Sequence, residues 1–314
     1  VSSSGKSSLV SQALVELVSA HWGSVQPDAQ DDLPDALQTD APPPVDGRIV
    51  QGAHAIQRLV QVDQKPIGPT TRSNLATYTG LFDAVRKLFA ATPAARRRRY
   101  DSGRFSFNLT EGRCATCKGE GFVSVELLFM PSVYSPCPVC QGARYNPQTL
   151  EVTWQGKNVA EVLRMTVDEA TAFFAGQSQV LRALVVLQNV GLRNLRLGQP
   201  ATELSGGEAQ RIKLATKLQR DPRGKTLYVL DEPATGLHPA DVDQLMAQLN
   251  RLVDAGNTVL VVEREMRIVA QSDWVIDIGP CAGEKGGTVV AKGTPQQVAA
   301  SERSRTATYL AACL

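Results

Sequence analysis

Toward its C-terminal end the chain alternates two apolar patterns. The runs "TLYVLD", "TVLVVE", "WVIDIG" and "GTVVAKG" are short, β-branched and nearly continuous in apolar character, with helical patterns among them: one opens after "LSGGE" and another runs from Pro239 to Ala255. Strands of this kind between helices predict a parallel sheet covered by helices. Near the start, Leu9, Ala13, Leu14, Leu17 and Val18 recur at helical spacing, which predicts a helix from Ser7 to about Trp22. The middle holds two more helical patterns, "TVDEATAFFAGQ" and "QVLRALVVLQNVGL". One stretch breaks every period: "QPDAQDDLPDALQTDAPPPVDG" is acidic and proline-rich and reads as a surface loop. No internal repeat is present.

These patterns divide the chain into three blocks. Residues 1–63 open with a helix, residues 64–199 form a middle block with two helical patterns, and residues 200–314 alternate helix and strand as an α/β block. At 314 residues there is room for two or three domains with cores of their own. With 43% hydrophobic and 20% charged residues the chain reads as a soluble globular protein. No uncharged apolar run reaches membrane-span length, and no basic segment followed by a hydrophobic signal core opens the chain, so a cytoplasmic protein is expected and a membrane transporter is not. A net charge of +2 is too small to imply a polyanionic partner. Nucleic-acid binding would therefore rest on local clustering, and one cluster exists: Arg96, Arg97, Arg98 and Arg99, with Arg104 and Arg113 close behind.

Phosphate chemistry is written at three places. "SSSGKSS" carries the end of a phosphate-binding loop, in which backbone N–H groups wrap the phosphates, the lysine meets the outer ones and the next hydroxyl holds Mg²⁺. Those roles fall to Ser4, Gly5, Lys6, Ser7 and Ser8 at a helix N-terminus. "TLYVLDEP" brings Asp231 and Glu232 to the end of an apolar strand, Asp231 for the Mg²⁺ shell and Glu232 as base for an attacking water. "LSGGE" supplies the Ser205 hydroxyl, the small residues Gly206 and Gly207 that let a backbone approach phosphate, and Glu208 at the start of a helix.

The cysteines carry a second chemistry. Cys114, Cys117, Cys137 and Cys140 form C-x₂-C-x₁₉-C-x₂-C, knuckle spacing for a tetrahedral four-thiolate Zn²⁺ site, within a module spanning about 103–150. Four cysteine ligands leave no open position, so the expected role is structural. Both pairs are followed by glycine, in "CKGEG" and "CQGAR", as expected where backbone N–H groups turn toward sulfur. The first pair also matches the CxxCxGxG unit of chaperone zinc domains, which would need four such units where this chain has two. Arginines beside the aromatic residues Tyr100, Phe105, Phe107, Phe122 and Tyr134 suit phosphate contact without sequence readout.

"LSGGEAQR" followed by "LDEPATGLH" resembles the ABC-type ATPases and, more narrowly, the C-terminal half of the UvrA family, the damage-recognition subunits of the bacterial excinuclease. The resemblance runs nearly the whole chain, through "VDQKPIGPTTRSNLATYTGLFDAVRKLFA", "GRFSFNLTEGRCATCKGEGF" and "NVGLRNLRLGQPATELSGGEAQRIKLATKL". It implies an α/β ABC-type ATPase core split in sequence between residues 1–63 and 200–314, with residues 64–199 as a mostly helical insertion, and that Gln64 senses Mg²⁺ and the γ-phosphate and links the ATP site to that insertion. It also implies that each nucleotide lies between the phosphate loop of one ATPase half and the signature serine of another. This chain would then supply half of each of two sites, binding ATP alone but hydrolysing it poorly, and a head-to-tail homodimer would complete both. The implied partners are damaged double-stranded DNA, UvrB and the other ATPase half. Val1 accordingly reads as the cut edge of a larger protein, with the first loop glycine and the first ATPase module upstream.

Three positions depart from that family. Arg264 in "VVEREM" stands where a switch histidine is expected, and an arginine stays charged and exchanges no proton, which sets hydrolysis at that site in question. Ser3 replaces a loop glycine, and "DEPAT" replaces D-E-P-T-T. Two functions stay open: a DNA-damage-sensing ATPase that loads UvrB, and a diverged nucleotide- and DNA-binding relative with weak turnover, as in drug self-resistance.

Overall fold

The computed structural model describes residues 5–22, 47–127, 130–219, 224–283 and 286–314. Ser3, Ser4 and nearly all of the acidic, proline-rich stretch lie outside the described residues. The strands, in chain order, are β1 (Arg58–Val62), β2 (Phe122–Leu127), β3 (Met130–Pro136), β4 (Thr153–Trp154), β5 (Lys157–Asn158), β6 (Thr226–Asp231), β7 (Thr258–Val262), β8 (Val275–Gly279) and β9 (Thr288–Gly293). The chain forms two compact units, residues 1–64 with 221–314, and residues 65–220.

In the first unit β1, β6 and β7 form a parallel sheet with β6 in the centre. Leu227, Tyr228, Val229 and Leu230 of β6 are all buried, which accounts for its unbroken apolar run. β1 escapes a reading by hydrophobic pattern because Arg58 and Gln61 interrupt it and both are exposed. β8 and β9 pair antiparallel with an irregularity between Asp277 and Ile278, so the parallel sheet expected of all four runs holds for β6 and β7. Behind β8, the buried Asp277 carboxylate accepts from Ser304 Oγ (2.6 Å) and Thr306 Oγ1 (3.0 Å), fixing the C-terminal segment. The helix Pro239–Asp254 buries Val242, Leu245, Met246, Leu249 and Leu252, a stripe at helical spacing.

The N-terminal helix forms where it is expected, but its first half, Ser8–Leu14, is wound as a π-helix before Val15–Trp22 continues as α. Such widened turns cluster at functional sites. An apolar cavity of about 1190 Å³ lies beside it, lined among others by Leu9, Leu17, Leu249, Val261 and Ile276.

The second unit packs the helices Leu81–Ala90, Ser178–Asn189 and Gly206–Leu218 together. The signature helix Gly206–Leu218 therefore belongs to the same compact unit as the insertion, through its contacts with Ser178–Asn189. An aromatic cluster holds the cysteine module on this base: Phe107 stacks on Phe82 (5.5 Å between ring centres), Phe105 meets Phe89 at a tilt (5.4 Å), and Tyr145 meets Phe107 edge-on. Phe105 and Phe107 are thus fully buried, and the part of the aromatic surface read beside the arginines is core. Tyr134 is the exposed member, at 60%. Among the described residues no helix is long and apolar enough to cross a membrane.

Candidate nucleotide site and four-cysteine centre

Asp231, the last residue of β6, is where the first unit's polar residues converge. Its carboxylate accepts from Ser7 Oγ (3.1 Å) and Ser11 Oγ (3.3 Å), and its carbonyl accepts from Gln64 Nε2 (3.1 Å). Gln61 Nε2 donates to the Ser11 carbonyl (2.9 Å), tying β1 to the N-terminal helix. Three residues read from separate motifs, Ser7, Gln64 and Asp231, therefore meet within hydrogen-bond distance. Gly5 turns with φ +83°, Lys6 follows it, and Ser8 is exposed in the next turn. The paired Ser7 hydroxyl and Asp231 carboxylate are hard oxygen donors of the kind Mg²⁺ takes.

Glu232 sits one residue beyond, in a left-handed backbone (φ 49°) that a non-glycine residue adopts at a cost of about 1–3 kcal/mol. Its N–H donates to the Val262 carbonyl (2.8 Å) at the end of β7. Its Oε2 accepts from Arg264 Nη2 at 2.5 Å. Glu263 braces the arrangement, one oxygen accepting from Ala234 N–H (2.9 Å) and the other from Arg264 N–H (2.8 Å) and Glu265 N–H (3.2 Å). Ser11, Gln61 and Glu263 are absent from the sequence reading. Ser11 alone carried a signal, since it lies four residues after Ser7 on the same helical face.

In the second unit, Ser205 caps the helix Gly206–Leu218. Glu208 N–H donates to its Oγ (3.3 Å), and Glu208 Oε2 accepts from Ser205 N–H (2.8 Å) and Oγ (2.9 Å), a complete capping box. The "SGGE" residues thus form a stable helix start, with the Ser205 hydroxyl exposed at its positive end. Gly207 is buried, as are the Gln210 and Arg211 that follow it.

The sulfurs of Cys114, Cys117, Cys137 and Cys140 all lie within 4.8 Å of one another, with Cys117 and Cys140 3.6 Å apart. A tetrahedral Zn²⁺ with Zn–S bonds near 2.3 Å needs sulfurs about 3.8 Å apart, so the donor set fits that ion. Gly121 N–H donates to Cys117 Sγ (3.3 Å). Gly119 is required where it stands: its φ is +87°, and a Cβ there would meet the Phe107 carbonyl oxygen at 1.8 Å. Burial pushes the Cys140 thiol up to about 12, and the neighbouring Cys117 adds to the rise. Burial pushes Cys137 the same way, but the N–H groups of Cys140 and Val139 outweigh it and bring that thiol down to about 7. A cation is what would let the whole set ionise together. Cys281 and Cys313 stand outside the cluster.

A family model described as ABC transporter matches residues 139–235, from just before Cys140 through β6 to the residues after Glu232. The UvrABC system protein A of Micrococcus luteus is 50% identical over 314 residues, all of this chain and 30% of the relative. That of Thermus thermophilus is 55% identical over 250 residues, 80% of this chain and 26% of the relative. The crystal structure of UvrA2 from Deinococcus radiodurans is 61% identical with a TM-score of 0.84, covering all of this chain and 36% of that one. The chain belongs to the UvrA family. It spans about a third of the length of these relatives, and its architecture is the ABC-type ATPase core with the insertion that carries the cysteine cluster.

Within this UvrA-family insertion the six arginines divide by surroundings. Arg96, Arg97 and Arg99 are exposed around the end of the short helix Pro93–Arg97. Arg98 pairs with Glu151 (2.7 Å), and the side-chain bond to that carboxylate is the main reason its pKa rises above the ordinary value. Arg104 lies 4.3 Å from the Tyr100 ring centre and donates to Thr149 Oγ1 (2.9 Å) and Asn146 Oδ1 (3.4 Å). Arg113 donates to the Asn108 carbonyl (3.2 Å). Arg98, Arg104 and Arg113 are braced by neighbouring segments of the module, whereas Arg96, Arg97 and Arg99 present an exposed basic surface.

Proposed function

We propose that the chain is an ATP-binding and ATP-hydrolysing half of a DNA-damage-sensing protein of bacterial nucleotide excision repair. The observation that carries this reading is the convergence of Ser7, Gln64 and Asp231 in a UvrA-family chain. The loop from Ser4 to Ser8 holds the ATP phosphates with its N–H groups, and Lys6 meets the outer ones. Ser7 and Asp231 would hold Mg²⁺, which supplies charge neutralisation between the phosphates. Glu232 takes the proton of the attacking water, yielding ADP and phosphate, and Gln64 reports the filled site to the insertion. Ser205, Gly206, Gly207 and Glu208 serve a nucleotide held by another ATPase half, in a homodimer or within a longer chain.

The exposed arginines Arg96, Arg97 and Arg99 meet the phosphates of damaged duplex DNA without reading sequence, and Arg98, Arg104 and Arg113 shape that surface. The cysteine module, holding Zn²⁺, keeps it in place, and ATP turnover licenses transfer to UvrB in the cytoplasm.

One observation favours the slow-turnover variant of this reading: Arg264 occupies one carboxylate oxygen of Glu232, the proposed base. Exposed ion pairs are worth about 0–1 kcal/mol, so this contact restrains the base without abolishing it. Arg264→His should raise steady-state ATP turnover by up to about fivefold, equivalent to at most about 1 kcal/mol of barrier. Unchanged turnover in that variant removes Arg264 as the limit on hydrolysis.

A further inference from the structure

The four-cysteine centre is joined to the loop leading into Ser205 by one buried guanidinium. Arg144 ends the "CQGAR" knuckle in a left-handed backbone, φ 71°. Its main chain is held by the cysteines themselves: its carbonyl accepts the Cys114 N–H (2.8 Å), and its own N–H favours the Cys140 thiolate. Its side chain donates to the carbonyls of Thr71 (2.9 Å), Gly119 (3.5 Å) and Gly198 (3.3 Å) and lies 5.1 Å from the Phe107 ring centre. The residue is 4% exposed, and burial pushes its pKa below the ordinary arginine value. Arginine nonetheless keeps its proton, so the buried charge is compensated by these carbonyls, and a point-charged lysine could not span them.

The segments that Arg144 grips also pair with each other. Ala201 N–H donates to the Ser73 carbonyl (2.7 Å), Ala76 N–H donates to the Leu197 carbonyl (2.9 Å), and Asn74 and Pro200 form a β-bridge. Gly198 N–H donates to the Leu163 carbonyl (2.7 Å). A single turn, Ala201–Glu203, then leads to Leu204 and Ser205. The main chain that touches two cysteines and the side chain that fixes the approach to the signature serine therefore belong to one residue.

We propose that Arg144 is a positioning residue that carries the state of the four-cysteine site to the loop 197–204 ahead of Ser205. With the sulfurs gathered on a metal ion, the Arg144 main chain is fixed and its guanidinium holds Thr71 and Gly198; without the ion, that grip loosens and the loop opens more often. The inference rests on reading the four cysteines as a metal site.

Amide hydrogen exchange on the full chain tests it, with Zn²⁺ bound or removed by a chelator under reducing conditions, and with metal content measured in parallel. In the unsubstituted chain, Zn²⁺ removal should speed exchange roughly tenfold or more both at 114–121 and at the Gly198 and Ala201 amides. In Arg144→Met with Zn²⁺ retained, 114–121 should stay protected while Gly198 and Ala201 already exchange at the stripped rate, with Arg144→Lys intermediate. Loop protection that survives Zn²⁺ removal, or that is unaltered in Zn²⁺-loaded Arg144→Met, overturns the proposal. Should Arg144→Met lose its Zn²⁺, Arg144→Lys and the unsubstituted chain decide by the same criterion. A chain that takes up no Zn²⁺ ends the metal reading separately, and protection at Gly198 and Ala201 in Arg144→Met still decides whether Arg144 holds the loop.

Discussion

In an Arg264→His background, Glu232→Gln lowers ATP turnover by about 10²–10⁴-fold, the usual worth of a positioned general base, and leaves ATP affinity unchanged. The background matters because Arg264 engages Glu232 Oε2 at 2.5 Å, so in the unsubstituted chain part of the loss is already built in. The local structure favours Glu232 over Asp231 as the proposed base. Asp231 ends β6 with its carboxylate turned onto Ser7 and Ser11, as a metal-shell ligand would be. Glu232 leaves the strand in a left-handed conformation anchored by Val262, and among the described residues its side chain meets Arg264 and not Ser7 or Ser11, leaving it outside that metal-shell pairing. Turnover and binding measured on the same preparations separate the roles, and loss of ATP affinity in Glu232→Gln would assign Glu232 to binding instead.

Cys137→Ser is the second large effect. Cys137 is fully buried among the other three sulfurs, its thiol already lowered to about 7 by the N–H groups around it despite burial. A hydroxyl cannot replace a thiolate ligand, and apparent binding of a structural Zn²⁺ is worth about 10–16 kcal/mol in small zinc modules. We expect metal content to fall to background and the segment from about residue 110 to 145 to become open to proteolysis. Because the first unit is compact on its own, its ATP binding should persist. Metal content at the unsubstituted level in Cys137→Ser would remove this cysteine from the ligand set.

What could be read in the sequence follows from how local each feature is. β6 is legible because four consecutive residues are buried, leaving one continuous apolar run before Asp231. The cysteine cluster is legible because knuckle spacing is a property of a few bonds, and the four sulfurs do converge. β1 is not, because its register beside β6 depends on a partner far along the chain while Arg58 and Gln61 mask its pattern. The antiparallel pairing of β8 with β9 likewise depends on which edge is available and not on composition. Phe105 and Phe107 sit among arginines in sequence yet pack inward, since the helix Leu81–Ala90 offers Phe82 and Phe89 to meet them. Glu263 and Arg144 are ordinary residues whose partners exist only after folding, so no motif could have marked them, and Ser11 is marked only by its four-residue spacing from Ser7.

The central claim, that Lys6, Ser7 and Asp231 form a Mg²⁺-dependent ATP site in this chain, is tested most directly by equilibrium titration with a non-hydrolysable ATP analogue. The unsubstituted chain should bind it, at least tenfold more weakly once Mg²⁺ is withheld, and Lys6→Ala should bind roughly a hundredfold more weakly, as expected for loss of a charge-assisted phosphate contact. Equal affinity for the unsubstituted and Lys6→Ala chains, with no response to Mg²⁺, would contradict the account.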